Sequence, residues 1–104
     1  MDYNEIIKRA HTLEKEIRQA RERLGEMTVE GRAGGGLVIV YANGREEIVA
    51  VKISPEVLQE KDVRVVEDLV LAACRQAAEK AKQLAAKEMG KVSGFASIRH
   101  MLGL

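Results

Sequence analysis

Three consecutive glycines, Gly34-Gly35-Gly36, framed by Val29-Glu30-Gly31-Arg32-Ala33 and Leu37-Val38, constrain this chain more than any other stretch. A glycine run between β-branched and apolar residues permits backbone angles and close approaches that a Cβ forbids, so the chain can reverse or bulge there. Before it lies one long helical pattern, and after Ser54 lies another. The run is not a phosphate loop: no Gly-Lys-Ser/Thr follows, and it opens a strand where a phosphate site needs a helix N-terminus. Nor does it match the dinucleotide fingerprint. It reads as a turn or bulge that hinges the first helix to a hairpin.

The first helix is expected from about Tyr3 to Glu26. Its apolar residues Ile6, Ala10, Leu13, Ile17, Ala20, Leu24 and Met27 are spaced alternately four and three apart, a heptad seam. Glu5–Arg9, Glu14–Arg18 and Arg18–Glu22 sit at the spacing of helical ion pairs, and Lys8 and Lys15 fall farthest from the seam. Three strands follow, at Thr28–Ala33, Leu37–Ala42 and Arg45–Ile53. Asn43-Gly44 is the preferred pair for a two-residue type I′ turn, which sets Ala42 opposite Arg45, Ile39 opposite Ile48 and Val38 opposite Val49. One sheet face then carries Leu37, Ile39, Ile48 and Ala50, and the other Val38, Val40, Val49, Val51 and Ile53. A sheet apolar on both faces has one face more than its own helices cover, so the second is a candidate subunit interface, drawn from Leu37, Val38, Ile39, Val40, Val49 and Val51. Ser54-Pro55 opens a short helical turn with Ser54 as its cap. Asp62 caps a last helix over Val63–Met89 that ends on Gly90 at the position after its C-cap. Val63, Val66, Val70, Ala73, Ala77 and Leu84 share one face of that helix, and its many alanines make it thin. The fold class is therefore α+β: a two-layer α-β-β-β-α arrangement with a three-stranded antiparallel sheet between long N- and C-terminal helices. The domain covers residues 1–92. A tail, 93–104, is either mobile or ordered by a partner.

At 104 residues the chain is one domain, and its single cysteine, Cys74, has no internal partner and suits a small apolar role. No run approaches the length of a membrane span. The acidic start Met1-Asp2-Tyr3-Asn4-Glu5 lacks the pattern of a signal peptide, so a cytoplasmic location is expected. The net charge of +1 conceals two basic blocks. Lys8–Arg23 holds six basic against three acidic residues, and Arg75–Arg99 six against two, whereas Arg45–Asp68 between them holds four against seven. A polyanion would meet the two helices first. His11 and His100 have no ligand-spaced neighbours, so neither metal nor cofactor is expected. Glu46-Glu47 point to opposite faces of a strand, Glu67-Asp68 sit early in a helix, and no nucleophile stands in an elbow, so the chain does not read as an enzyme. Tyr3, Tyr41 and Phe95 are too few for a base-stacking platform, whereas lysine and arginine on two helices suit duplex phosphates.

The string Val29 to Val38, then Asn43-Gly44, Val51-Lys52-Ile53-Ser54-Pro55, and Glu67-Asp68-Leu69-Val70 with Ala72-Ala73, resembles the YbaB/EbfC family of bacterial nucleoid-associated proteins. The resemblance runs from the first helix to about Gly94. It implies an α-β-β-β-α core, a homodimer with projecting helical arms, duplex DNA as the partner, a place in the nucleoid, and a replication or recombination setting. Ser54 stands where the family usually has aspartate, and the tail Phe95–Leu104 replaces a Gly/Pro-rich ending. The family has no sharp DNA-contact motif to carry over. Charge and helical position alone select Lys8, Arg9, Lys15, Arg18, Arg21, Arg75, Lys82, Lys87 and Lys91 as candidate DNA contacts. The expected function is duplex binding of low sequence selectivity; the alternative is a protein-interaction scaffold for replication or recombination proteins with little DNA affinity.

Overall fold

The computed structural model describes residues 2–92; the tail proposed for 93–104 lies outside the described residues. The elements are α1 (Tyr3–Glu26), β1 (Thr28–Ala33), β2 (Val38–Asn43), β3 (Ile48–Ile53), a 3₁₀ turn (Pro55–Gln59) and α2 (Val63–Met89). The sheet is antiparallel in the order β1-β2-β3, giving the expected α-β-β-β-α fold. Asp2 Oδ1 accepts from the Asn4 N–H at 3.3 Å to start α1, and Asp62 Oδ1 accepts from the Arg64 N–H at 3.0 Å to start α2. Ser54 makes no side-chain capping bond; its carbonyl accepts from the Val57 N–H at 3.0 Å instead. Gly90 is itself the C-cap, with right-handed φ of −63°, so its freedom for positive φ is not used there.

α2 lies over β1 and β2. Ala73, Ala77 and Ala81, each four residues from the next, are fully buried and share one core with Ala33, Val38, Val40 and Ala42. The contact is close because both sides are thin. A Cβ built on Gly31 would collide with the Ala73 carbonyl oxygen and the Ala77 nitrogen, so β1 touches the helix backbone itself. α2 also covers the free edge of β1: the Gln76 side-chain oxygen accepts from the Arg32 N–H at 2.7 Å, and Lys80 Nζ donates to the Glu30 carbonyl at 2.8 Å. β3, the other edge, has all six residues exposed.

The two turns differ from the sequence reading. Gly34, Gly35 and Gly36 all have positive φ (64°, 69° and 100°) and join β1 to β2. The connection from α1 to β1 passes through Met27 alone, so the glycines are a turn within the sheet and no hinge for α1. Each such angle costs a residue with a Cβ about 1–2 kcal/mol, which is why the run is glycine throughout. Asn43-Gly44 does not make a two-residue turn. Gly44, Arg45 and Glu46 form a three-residue loop with Glu46 at φ 66°, closed by the Asn43 N–H donating to the Glu47 carbonyl at 2.9 Å. Asn43 Oδ1 accepts from the N–H groups of Arg45 (2.9 Å) and Glu47 (3.1 Å), bonds a two-residue turn could not make. β3 consequently starts at Ile48, and pairing then skips Val49: Ala42 faces Ile48, but Tyr41 faces Ala50, Val40 faces Val51, Ile39 faces Lys52 and Val38 faces Ile53.

This register alters the two faces. Val51 and Ile53 share the α2 side with Val40 and Val38, but α2 does not cover them, and they are 47% and 48% exposed. The opposite face carries Arg32 and Lys52 beside Ile39, with Lys52 Nζ 5.9 Å from the centre of the Tyr41 ring, so it is mixed in polarity and not apolar throughout.

α1 leaves the core. Ala20 and Leu24 are buried, Leu13 and Ile17 half-buried, and residues 2–12 all exposed, so only the second half of the heptad seam is used within the chain. The molecule measures 68 × 25 × 16 Å with a radius of gyration of 19.5 Å. A compact domain of this length would have a radius of about 13 Å. The excess reflects projecting helices.

Candidate nucleic-acid interface

The cations lie in lines because helical geometry repeats every seven residues. On α1, Lys8 and Lys15 are one heptad apart on the side opposite Leu24, and Arg18 flanks them. On α2, Arg75 and Lys82 are likewise one heptad apart, on the side opposite Ala73 and Ala77. Lys87 and Lys91 follow a neighbouring line shared with Lys80. All nine sequence-selected residues are exposed. They are not equally available, however. Arg9 pairs with Glu5 at 3.7 Å, Arg18 with Glu14 at 3.7 Å, and Lys91 with the buried Glu88 at 3.0 Å. The first two are solvent-screened pairs that a phosphate can displace; the third also serves Glu88, which the fold has already desolvated. Lys8, Lys15, Arg21, Arg75, Lys82 and Lys87 form no ion pair among the described residues.

Two further cations have structural duties. Lys80 is bound to the edge of β1, and Arg45 Nε donates to the Arg21 carbonyl at 2.8 Å, near the C-terminus of α1. Neither role was legible beforehand, because each depends on a contact between residues far apart in the chain. Arg32 is held by Glu30 at 2.8 Å; that hydrogen bond, then the Glu30 charge, raises its pKa above the ordinary arginine value. An arginine raised further stays charged at every accessible pH.

The proposed interface residues also separate. Val38 and Val40 are 0% exposed beneath α2, so their burial is completed within one chain and leaves no surface for a second; this corrects their selection from sequence. The physical cause is the thin α2, which settles directly onto them. Leu37 and Ile39 are half-buried, whereas Val49 and Val51 stand exposed on β3 beside Ile48 and Ile53.

Elsewhere, a cleft of about 220 Å³ between Leu37, Val57, Val65 and Leu69 is rimmed by Glu56 and Glu60, the wrong charge for a phosphate. Among the described residues no group of three or more His, Cys, Asp or Glu side chains is placed to hold a metal, and no helix is long and apolar enough to cross a membrane. The chemistry on offer is cationic and displayed on helices.

The described residues form a small α+β domain in which two long helices flanking an antiparallel sheet carry exposed cations. The chain is a member of the YbaB/EbfC DNA-binding family, whose sequence profile matches residues 1–96. It is 47% identical over 91 residues to the nucleoid-associated protein TTE0040 of Caldanaerobacter subterraneus subsp. tengcongensis, covering 88% of this chain and 82% of that one. It is 45% identical over 95 residues to the nucleoid-associated protein Teth39_2199 of Thermoanaerobacter pseudethanolicus, covering 91% and 86%. A nucleoid-associated protein of Bacillus thuringiensis is 46% identical over 88 residues, covering 85% and 81%. The fold matches the crystal structure of the uncharacterized protein HP0035 from Helicobacter pylori with a TM-score of 0.76 at 22% identity, covering 84% of this chain and 91% of that one.

Proposed function

We propose that this protein is a nucleoid-associated homodimer that binds duplex DNA with low sequence selectivity through its helical arms. The observation that carries this reading is the set Lys8, Lys15, Arg75, Lys82 and Lys87, exposed and without an ion pair among the described residues, on two projecting helices of a DNA-binding-family chain. Extended lysine and arginine side chains meet phosphates wherever a duplex lies and release its counterions, whereas reading bases needs an element shaped to enter a groove. Dimerisation is supported by β3. One sheet edge is closed by Gln76 and Lys80, whereas the other displays Ile48, Val49, Val51 and Ile53 with free backbone groups, and an uncovered apolar edge invites a second copy.

The test is duplex affinity measured across salt for the parent and for Lys82→Glu/Lys87→Glu. We expect log affinity to fall linearly with log salt, and the double variant to weaken binding at least about tenfold at low salt with a shallower slope. Different duplex sequences should bind within a few-fold of one another. Absence of binding at low salt would refute the reading and favour the scaffold alternative.

A further inference from the structure

The base of α1 is tied to the β2–β3 loop by three hydrogen bonds to main-chain carbonyls of its last turns. The Gly44 N–H donates to the Leu24 carbonyl at 2.8 Å and to the Met27 carbonyl at 3.1 Å, and Arg45 Nε donates to the Arg21 carbonyl at 2.8 Å. The pieces are fitted closely. A Cβ on Gly44 would stand 2.5 Å from Leu24 Cδ2 and 2.7 Å from its carbonyl oxygen, and a Cβ on Gly25 would stand 2.8 Å from the Arg45 guanidinium carbon. Two glycines, one on each partner, thus allow the loop to seat on the last turn of the helix. The Arg45 charge also lies where the helix dipole favours a cation. Asn43 holds the loop from beneath through its side-chain bonds to the N–H groups of Arg45 and Glu47.

We infer that Arg45, seated by Gly25 and Gly44, is a positioning residue that fixes the angle between α1 and the sheet and thereby places the α1 cations for DNA. The inference rests on the reading of α1 as a DNA-binding arm. Its force comes from leverage. Residues 2–12 lie exposed, so among the described residues α1 is oriented from Leu13 onward. Lys8 stands sixteen residues from Leu24, roughly 24 Å along the axis at 1.5 Å per residue. A swing of about 10° at the base would displace it by about 4 Å, enough to carry an ammonium out of reach of a phosphate oxygen. A single guanidinium at the pivot therefore governs contacts far from it without touching DNA itself.

The experiment uses full-length protein with nitroxides at Lys15→Cys on α1 and Lys52→Cys on β3 in a Cys74→Ala background. The doubly labelled chain is mixed with an excess of unlabelled chain, so that distances within one chain dominate the pulsed electron-resonance signal. In the label-free protein, duplex affinity and melting temperature are measured alongside. Arg45→Ala should broaden the distance distribution and weaken duplex binding about fivefold, through lost preorganisation, with the melting temperature nearly unchanged. Arg45→Lys, which keeps the charge but not the planar donor, should fall between the two. An unchanged distribution in Arg45→Ala would overturn the inference, and so would a broadened one with unchanged affinity. If the parent binds no duplex, the DNA reading fails, and the distance distribution still decides whether Arg45 sets the arm.

Discussion

Gly31 and Glu46 are the two positions where a single side chain is most at odds with its surroundings or most needed by them. At Gly31 the α2 backbone occupies the space of a Cβ, with the Ala73 carbonyl in the way. Backbone cannot step aside as a flexible side chain can. Gly31→Ala should therefore lower unfolding free energy by about 3 kcal/mol, at the upper end for overpacking, as read from urea denaturation. A loss below about 1 kcal/mol would mean that α2 floats more freely over β1 than its alanine stripe requires. Glu46 is the converse case. It is the one non-glycine described residue with positive φ, at 66°, and its side chain makes no hydrogen bond or ion pair with another described residue. Glu46→Gly should raise stability by up to about 1 kcal/mol, since relief of backbone strain is partly offset by the greater freedom of glycine in the unfolded chain. A melting temperature that falls would count against strain at this turn.

Among the elements, α2 was the most legible from sequence and the β2–β3 turn the least, for a physical reason. α2 is announced by local signals: Asp62 before the first turn, a long alanine-rich period, and Gly90 after it, so both ends are found where expected. Asp62→Ala removes the acceptor for the Arg64 N–H and should cost about 1 kcal/mol in the same urea experiment, with helical content preserved. The turn is governed instead by what Asn43 binds. Its side chain accepts from two backbone N–H groups and its Nδ2 donates to Glu47 Oε1 at 2.8 Å, which stretches the loop by one residue over the expected Asn-Gly turn. The loop also begins one residue later than that turn, at Gly44, which moves the partners by two more, and the skipped Val49 adds another. The total shift near Val38 is four residues, an even number, so Val51 and Ile53 still share a face with Val38 and Val40 despite the wrong partners. The candidate DNA contacts were legible as exposed charges because heptad spacing alone places Lys8 and Lys15, or Arg75 and Lys82, in line. What spacing could not reveal is which cations the fold engages: Lys80 and Arg45 depend on tertiary contacts, and the Val38–Val40 burial on how closely a thin helix can sit.

At the scale of the whole molecule, the shape makes a claim about valency. One chain offers an elongated body of 68 Å with most of its cations on the helices and an acidic stretch around the 3₁₀ turn and the start of α2. Contacts from a single chain would be few, and each phosphate contact is weak at physiological salt. In the proposed dimer, two chains joined through β3 would double the cationic arms on one body, so binding by the second arm set would become intramolecular and gain effective concentration without any new kind of contact. Val51 isolates this effect, because it is 47% exposed and its replacement leaves the chain's own core under α2 intact. A lysine there places like charges in the interface if β3 strands meet, and costs little if they do not. Val51→Lys should therefore sediment as a single chain with unchanged far-ultraviolet circular dichroism, while duplex affinity falls about tenfold or more and the salt slope drops toward half of the parent's. A variant that stays dimeric would move the interface away from β3. One that becomes monomeric yet keeps the parent's affinity and slope would show that a single pair of arms already makes every phosphate contact, and would leave the dimer without a part in DNA binding.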